Sequence, residues 1–252
     1  MGLSSNIIWH QTDFNGFKAI LKSRCLSCSY CLESFLDDRH RIAFPMISLS
    51  DIPLADIGEY LEQYGGYLFG FSRKWVIQNG FNPVWYCEKS NIAINKHKEL
   101  LYESFGGDKS EIASSVFTLF FYYSSYQKAI EGPLFVKSKN CTYSNYRYYD
   151  EREYRFIPDY DSLIKKSISP FLTEKDYNDY KIKKGSSRIE YTIPFSIPDL
   201  EIIITKTDKQ VLSIRKRLKD IYPDHSVHVF SHREIKQNII GTGHQIMKEP
   251  KG

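Results

Sequence analysis

The sequence lacks the short motifs of several large enzyme classes. It contains no Gly-x-Gly-x-x-Gly and no Gly-Lys-Ser/Thr loop, which argues against a Rossmann dinucleotide fold and a P-loop. Gly-x-Ser-x-Gly is also missing, and the seven histidines have no zincin spacing. Hydride transfer therefore loses its usual sequence support.

Long apolar runs and paired cysteines are absent as well. The amino terminus has no basic segment and no apolar run that suits a signal peptide or a membrane span, so we expect a cytoplasmic protein with no membrane partner. Five cysteines cannot all pair internally, which fits a reducing compartment. Cys25, Cys28 and Cys31 have metal-like spacing, but no fourth ligand follows at a familiar interval, and we predict no metal site.

Tyrosine and phenylalanine are abundant, with 19 Tyr and 16 Phe beside 3 Trp. Such residues favour strands and offer flat surfaces for stacking. The chain has 252 residues, of which 42% are hydrophobic and 25% charged, as in globular proteins with a sizeable core. Its net charge of +4 permits contact with nucleic acid without predicting it.

Hydrophobic patterning predicts helices mostly early in the chain and strands mostly late. Asp13 can cap a helix after a short apolar strand at 6–9, and Ser72 can cap another. Further helices are predicted at 108–130 and 210–219. The later strand candidates are residues 134–136, 153–157, 191–195, 201–205 and 227–230, and earlier ones are 44–50 and 67–71.

This order of elements predicts a single α+β domain over residues 1–252, with a split mixed or antiparallel β-sheet core flanked by helices. A doubly wound βαβ series is disfavoured. The polar residues 161–187 are the candidate for a mobile insertion. A boundary between two domains at that stretch is the alternative.

The most informative charge pattern lies at residues 149–156. In an extended segment Glu151 and Glu153 lie on the same face, because side chains alternate, and two carboxylates would point into one cleft. Arg155 follows on that face. A solvated charge run on an edge strand is the alternative.

Two motifs resemble DarT-type ADP-ribosyltransferases. Residues 9–12, Trp-His-Gln-Thr, followed by Phe-Lys-Ala-Ile-Leu at 17–21, resemble the opening of those enzymes. Glu-Arg-Glu at 151–153 resembles their Glu/Gln-x-Glu element, which supplies the catalytic glutamate. Most of the chain is also similar to the AbiGi abortive-infection family, through residues 45–54, 64–67, 82–84 and 150–155.

The resemblance implies an ADP-ribosyltransferase-like fold with NAD as the substrate cofactor. Glu153 would stabilise the oxocarbenium-like ribose, and Glu151 would orient the acceptor or take its proton. The implied NAD-binding residues are His10, Gln11, Thr12, Ser48, Ser50, Tyr67 and Phe71. Alternatively, His10, Tyr67 and Phe71 are residues of the core or its rim, and Ser48 and Ser50 simply belong to the end of a strand.

The carboxyl-terminal part of the chain is basic. Residues 181–252 contain 14 Lys or Arg against 8 Asp or Glu. Arg215, Lys216 and Arg217 form the densest cluster and, with Arg152, are candidates for phosphate contacts. Together with tyrosines that can stack on unpaired bases, this cluster favours single-stranded RNA or DNA as the acceptor, and RNA is the preferred partner of our hypothesis. A solvated basic helix face is the alternative.

These observations lead to one hypothesis and two alternatives. The hypothesis is a phage-defence toxin, an NAD-dependent ADP-ribosyltransferase that modifies nucleic acid, RNA before DNA, and so blocks translation or phage replication. Such a toxin would need a cognate antitoxin protein. The first alternative is the same enzyme acting on a protein. The second is a non-catalytic antitoxin that neutralises its partner by binding it.

Overall fold

The computed structural model describes residues 6–34, 41–64, 66–88, 90–93, 95–97, 99, 114–136, 140–221 and 227–237. The helices are α1 (Phe14–Ser23), α2 (Ile57–Tyr64), α3 (Arg73–Gln78), α4 (Ser114–Tyr126), α5 (Tyr160–Lys165), α6 (Glu174–Lys184) and α7 (Asp208–Ile221). The strands are β1 (Ile7–Thr12), β2 (Cys25–Ser34), β3 (Arg41–Ser50), β4 (Tyr67–Ser72), β5 (Asn82–Pro83), β6 (Trp85–Cys87), β7 (Gln127–Ala129), β8 (Gly132–Val136), β9 (Cys141–Tyr146), β10 (Glu153–Phe156), β11 (Leu172–Thr173), β12 (Arg188–Pro194), β13 (Leu200–Thr205) and β14 (His228–Ser231). None of the described helices is long and apolar enough to span a membrane.

Ten of the described strands form one mixed sheet. Its main path is β12-β2-β3-β1-β4-β13-β14, with β10 and β11 paired to β3 and with β5 paired to β10. The first half of β3 pairs with β2 and β11, whereas its second half pairs with β10. Strand β1 meets β3 only at Trp9 and Ser50. The sheet therefore divides along β3, and the predicted α+β domain with a split mixed sheet and flanking helices is confirmed. Its ADP-ribosyltransferase-like character stays a prediction.

Both faces of the central strands are buried. On β1, Ile8 belongs to the larger core cluster with Phe69, while Trp9 belongs to a second cluster with Leu68. Because neighbouring residues of a strand point to opposite faces, this assignment places one core on each side of the sheet. Strand β4 is accordingly apolar and almost continuously buried.

The predicted helix caps form as expected. Asp13 caps α1 by accepting a hydrogen bond from the amide of Gly16 at 2.7 Å, and Ser72 caps α3 by accepting one from the amide of Trp75 at 3.3 Å. Helix α1 ends at Arg24, which adopts a left-handed conformation with φ 53°.

Residues 161–187 form ordered secondary structure. The segment contains most of α5, together with β11 and α6, and β11 pairs with Ala43 and Ile42 of β3. Leu163 is fully buried, and the hydroxyl of Tyr30 donates to the carbonyl of Ser169 at 2.6 Å. These contacts join the segment to the single domain. Its mobility stays a prediction.

Two predicted elements differ from those observed. The sequence predicts no strand at residues 25–34, but these residues form β2. The helix predicted at 108–130 ends at Tyr126, and its predicted start lies outside the described residues. Residues 127–129 instead form β7, which pairs in parallel with β6, so tertiary pairing overrides the helical pattern.

Gly70 of β4 leaves room for a buried indole. A methyl group at this position would lie 2.7 Å from Cγ2 of Ile7 and 2.8 Å from Cζ3 of Trp9. Trp9 is 1% exposed, and its Nε1 donates to the carbonyl of Ile52 at 2.9 Å, so the ring has little freedom to retreat. We expect Gly70→Ala to lower the free energy of unfolding by about 1–3 kcal/mol in urea titration. If the destabilisations by Gly70→Ala and Trp9→Phe were strictly additive in the double variant, the clash between residue 70 and the indole would not be the cause.

Candidate functional site: a buried ion cluster

Five charged side chains meet where β7 approaches β10, a strand of the main sheet. They are Glu33, Lys128, Glu151, Glu153 and Arg155, here called the ion cluster. Glu153 and Arg155 enter it because they are alternate residues of β10, opposite Ser50 and Ser48 of β3. Three carboxylates and two cations leave the cluster with one net negative charge.

The carboxylate of Glu153 accepts four hydrogen bonds. Its Oε1 accepts from Oγ of Ser48 and from Nε of Arg155, both at 2.7 Å. Its Oε2 accepts from Nζ of Lys128 at 2.7 Å and from Nη2 of Arg155 at 3.1 Å. Burial by itself would raise the pKa of Glu153, but the charges of Arg155 and Lys128 outweigh it and hold the pKa well below its usual range. The carboxylate is therefore ionised and saturated with donors.

Arg155 is completely buried and connects separate parts of the chain. Its Nη1 donates to the carbonyl of Ser125 at 2.7 Å, and its Nη2 lies 3.1 Å from Oε1 of Glu33. Burial alone would lower the pKa of Arg155, yet Glu153 and Glu33 raise it above its usual value. The guanidinium thus joins β10 to β2 and to the end of α4.

Lys128 brings the two predicted catalytic carboxylates together. Its Nζ donates to Oε2 of Glu151 at 2.8 Å as well as to Glu153. Burial would lower the pKa of Lys128, but the neighbouring carboxylates raise it well above its usual value. Glu151 lies in a 3₁₀ turn at Tyr148–Glu151 rather than in the extended segment that the sequence predicted, and Arg152 follows in a left-handed conformation with φ 43°.

Several predicted NAD-binding residues lie beside the cluster on β1 and β3. His10 places its Nδ1 3.2 Å from the carbonyl oxygen of Ser48, to which it donates when that nitrogen carries the proton. Desolvation of the ring lowers the pKa of His10 to about 4. Next to it, the hydroxyl of Tyr60 donates to Oε1 of Gln11 at 3.2 Å and lies 3.4 Å from Oγ of Ser50. The structure thus places Ser48 against Glu153 and connects Gln11 to Ser50 through Tyr60, while His10 contacts the backbone of β3 at Ser48.

Other predicted NAD-binding residues do not join this group. The ring of Phe71 is fully buried and stacks on Trp75 at 4.4 Å. Tyr67 is 3% exposed, stacks on Phe17 at 4.6 Å and pairs in register with Thr12. Tyr67 and Phe71 are therefore core residues of this structure, and stacking of either ring on nicotinamide stays a prediction.

The four predicted phosphate-binding residues occupy different surroundings. On α7, Arg215, Lys216 and Arg217 are all exposed, and Arg215 also donates from Nη2 to the carbonyl of Val229 at 2.6 Å. Arg152 lines a cleft of about 290 Å³. Its other lining residues are Ile52, Pro53, Asp56, Tyr60, Tyr146, Asp150 and Glu151. Three carboxylates in that cleft disfavour a phosphate, so Arg152 does not form one basic site with the α7 residues.

Sequence reasoning missed Lys128 and Glu33. Both lie in segments whose strands it did not recognise, β7 and β2, and their distance along the chain from β10 conceals the pairing. Tyr86 also has no predicted role, although its hydroxyl accepts from the amide of Glu153 at 2.8 Å. Period-two alternation of buried residues along β2 was the one signal that could have placed Glu33 on the sheet.

Comparison with known proteins identifies a family. The family model described as "Putative abortive phage resistance protein AbiGi, antitoxin" matches residues 25–206, which is more than half of the chain and includes the whole ion cluster. None of the curated proteins and none of the solved structures gives a significant match.

The match confirms the resemblance to AbiGi, while the likeness to DarT-type enzymes is not shown. The expectation of a toxin that ADP-ribosylates nucleic acid is wrong, because the matching family is described as an antitoxin. The chain belongs to the AbiGi family of abortive phage resistance proteins.

Proposed function

We propose that the protein is the antitoxin of an abortive-infection pair and that it neutralises a partner toxin protein by binding it. The observation that carries this proposal is the antitoxin description of the family that matches residues 25–206. The sequence predicted a toxin with a cognate antitoxin as its partner protein. The proposal keeps a partner protein but exchanges the roles, so that this protein is the antitoxin and its partner is the toxin.

The environment of Glu153 supports a binding role for the protein. An ionised carboxylate offers about four lone-pair sites, and four donors at 2.7–3.1 Å already occupy those of Glu153. None remains for a ribose hydroxyl, so the ion cluster acts as a scaffold that fixes β10, β7 and β2 to one another. Use of NAD stays a prediction of the two DarT-like motifs.

The proposal is tested by growth. We expect expression of the protein alone to leave growth unchanged, and its co-expression with the toxic product of a neighbouring gene in its own locus to restore growth. Because the proposed mechanism is binding, the two proteins should co-elute as one complex in size-exclusion chromatography with light scattering. The toxin expressed alone is the control.

Growth arrest caused by the protein alone would contradict the antitoxin role. Glu153→Gln then separates the causes, since it keeps the size of the side chain but removes its charge. Arrest that disappears with Glu153→Gln, together with loss of NAD from the medium of a purified reaction, would restore an enzymatic role.

A further inference from the structure

A small apolar groove lies between α1 and α7. Its floor is aliphatic and consists of Leu21 of α1, Ile197, and Ile214 and Leu218 of α7. The groove has a volume of about 190 Å³, and none of its lining residues belongs to the ion cluster. Ligand pockets for small molecules usually measure about 300–1,000 Å³, so the groove suits an inserted side chain better than a cofactor.

Among the described residues, the charged side chains at the rim of the groove are all positive. Lys22, Arg24 and Arg217 line it, and no carboxylate is among the lining residues. The two helices that form the groove extend this charge. Helix α1 contains two lysines and no acidic residue, and α7 contains five cations against two aspartates. An occupant with negative charge around an apolar centre is therefore electrostatically complementary.

The backbone under Arg24 is fixed. Its amide donates to the carbonyl of Ile20 at 2.8 Å, and its own carbonyl accepts from the amide of Phe195 at 2.9 Å. This arrangement holds the left-handed residue between α1 and β2, so the rim is organised before anything binds. A preorganised rim reduces the ordering cost of association.

The composition of the groove separates two classes of macromolecule. Proteins that bind single-stranded nucleic acid combine a basic groove with aromatic side chains on which bases stack. The described residues that line this groove are aliphatic or basic, and none of them is aromatic. A protein segment whose aliphatic side chain is flanked by carboxylates fits both the floor and the rim.

We propose that the groove between α1 and α7 is a docking surface for an acidic segment of the partner protein, with an aliphatic side chain of that segment seated on Leu21, Ile214 and Leu218. This inference rests on the proposed antitoxin function, whose partner is a toxin protein. Most residues that line the groove lie outside residues 25–206, the range that the family model matches.

The test uses the full chain and a defined probe. The probe is a fluorescein-labelled peptide, Gly-Asp-Glu-Leu-Leu-Glu-Asp-Gly, and its Kd is measured by fluorescence anisotropy. We expect saturable binding that weakens at least about tenfold in the Lys22→Glu/Arg217→Glu variant, because charge reversal repels the flanking carboxylates. Lys183→Glu/Lys184→Glu is the matched control, since it reverses two exposed charges on α6 instead, and should keep the wild-type Kd.

The aliphatic contact is tested by the peptide itself. Replacing both of its leucines by serine should weaken binding about tenfold at constant charge. Unfolding midpoints of all variants are compared first, and Lys22→Ala/Arg217→Ala replaces the charge-reversal variant if that one is unstable. We expect a smaller loss of affinity in the alanine variant.

Four results would overturn the proposal: no saturable binding, an equal loss in the α6 control, no effect of the serine substitutions, or stronger groove-dependent binding of a single-stranded RNA octamer. Neutralisation assays distinguish this failure from that of the antitoxin role. A groove variant that still neutralises the toxin overturns the docking surface alone. If the peptide binds at the groove but the protein never neutralises a toxin, the antitoxin role alone is overturned.

Discussion

Replacing Arg155 by methionine should lower the free energy of unfolding by about 3–5 kcal/mol, the usual cost of breaking a buried ion pair. Arg155 is 0% exposed, and it supplies two of the four donors of Glu153. Without Arg155, Lys128 is the remaining cation of the ion cluster beside Glu153 and Glu33. The carbonyl of Ser125 also loses its hydrogen bond from Nη1 of Arg155. Urea unfolding followed by circular dichroism at pH 7 measures the loss.

Arg147 provides the matched control for this substitution. It pairs with Asp150 at 3.5 Å, but both side chains are 62% exposed. Exposed ion pairs contribute about 0–1 kcal/mol, so Arg147→Met should change stability little. If Arg155→Met and Arg147→Met lowered the free energy of unfolding by comparable amounts, burial of the ion cluster would contribute nothing to stability. In the Glu153→Leu/Arg155→Met variant, which removes both charges, we expect a smaller loss than the sum of the single substitutions.

Acidification from pH 7 to pH 4 should destabilise the protein through His10. The pKa of this residue is about 4 in the folded state because burial disfavours the charged imidazole, whereas a histidine in an unfolded chain has a pKa near 6.5. The unfolded state therefore takes up the proton first. Stability is complete above pH about 6.5 and falls as the pH drops towards 4, by up to about 3 kcal/mol.

The variant His10→Asn isolates this contribution. The asparagine amide can still donate to the carbonyl of Ser48, but it does not titrate. Unfolding free energies measured at pH 7, 6, 5 and 4 should therefore fall less steeply than in the wild type. The exposed His228 supplies the control His228→Asn, which should keep the wild-type slope. Glu153 is distinguishable, because its depressed pKa removes stability only below the unfolded carboxyl pKa of about 4.3.

Local interactions were predictable from the sequence. The caps at Asp13 and Ser72 depend on residues only three positions away, and β4 and β13 follow from continuous apolar runs. Elements stabilised by distant partners were not predictable. Strand β7 continues an apolar helical pattern and becomes a strand only because β6 offers it a pairing edge.

The same distinction applies to the site. The alternation of residues 151–155 identified Glu153 and Arg155 as neighbours, and the pairing of β10 with β3 places Ser48 against Glu153. What the pattern could not reveal is how many donors Glu153 has. A catalytic carboxylate and a structural one have the same sequence signature, and the donors Ser48, Arg155 and Lys128 become evident only in three dimensions.

Strand β3 has a further consequence for how the domain unfolds. Its first six residues pair with β2, and its last four pair with β10. Since one uninterrupted strand pairs with both halves of the sheet, unfolding of β3 removes hydrogen bonds from both halves. We therefore expect the amides of β2 and β10 that pair with β3 to become accessible to exchange in the same event when β3 unfolds.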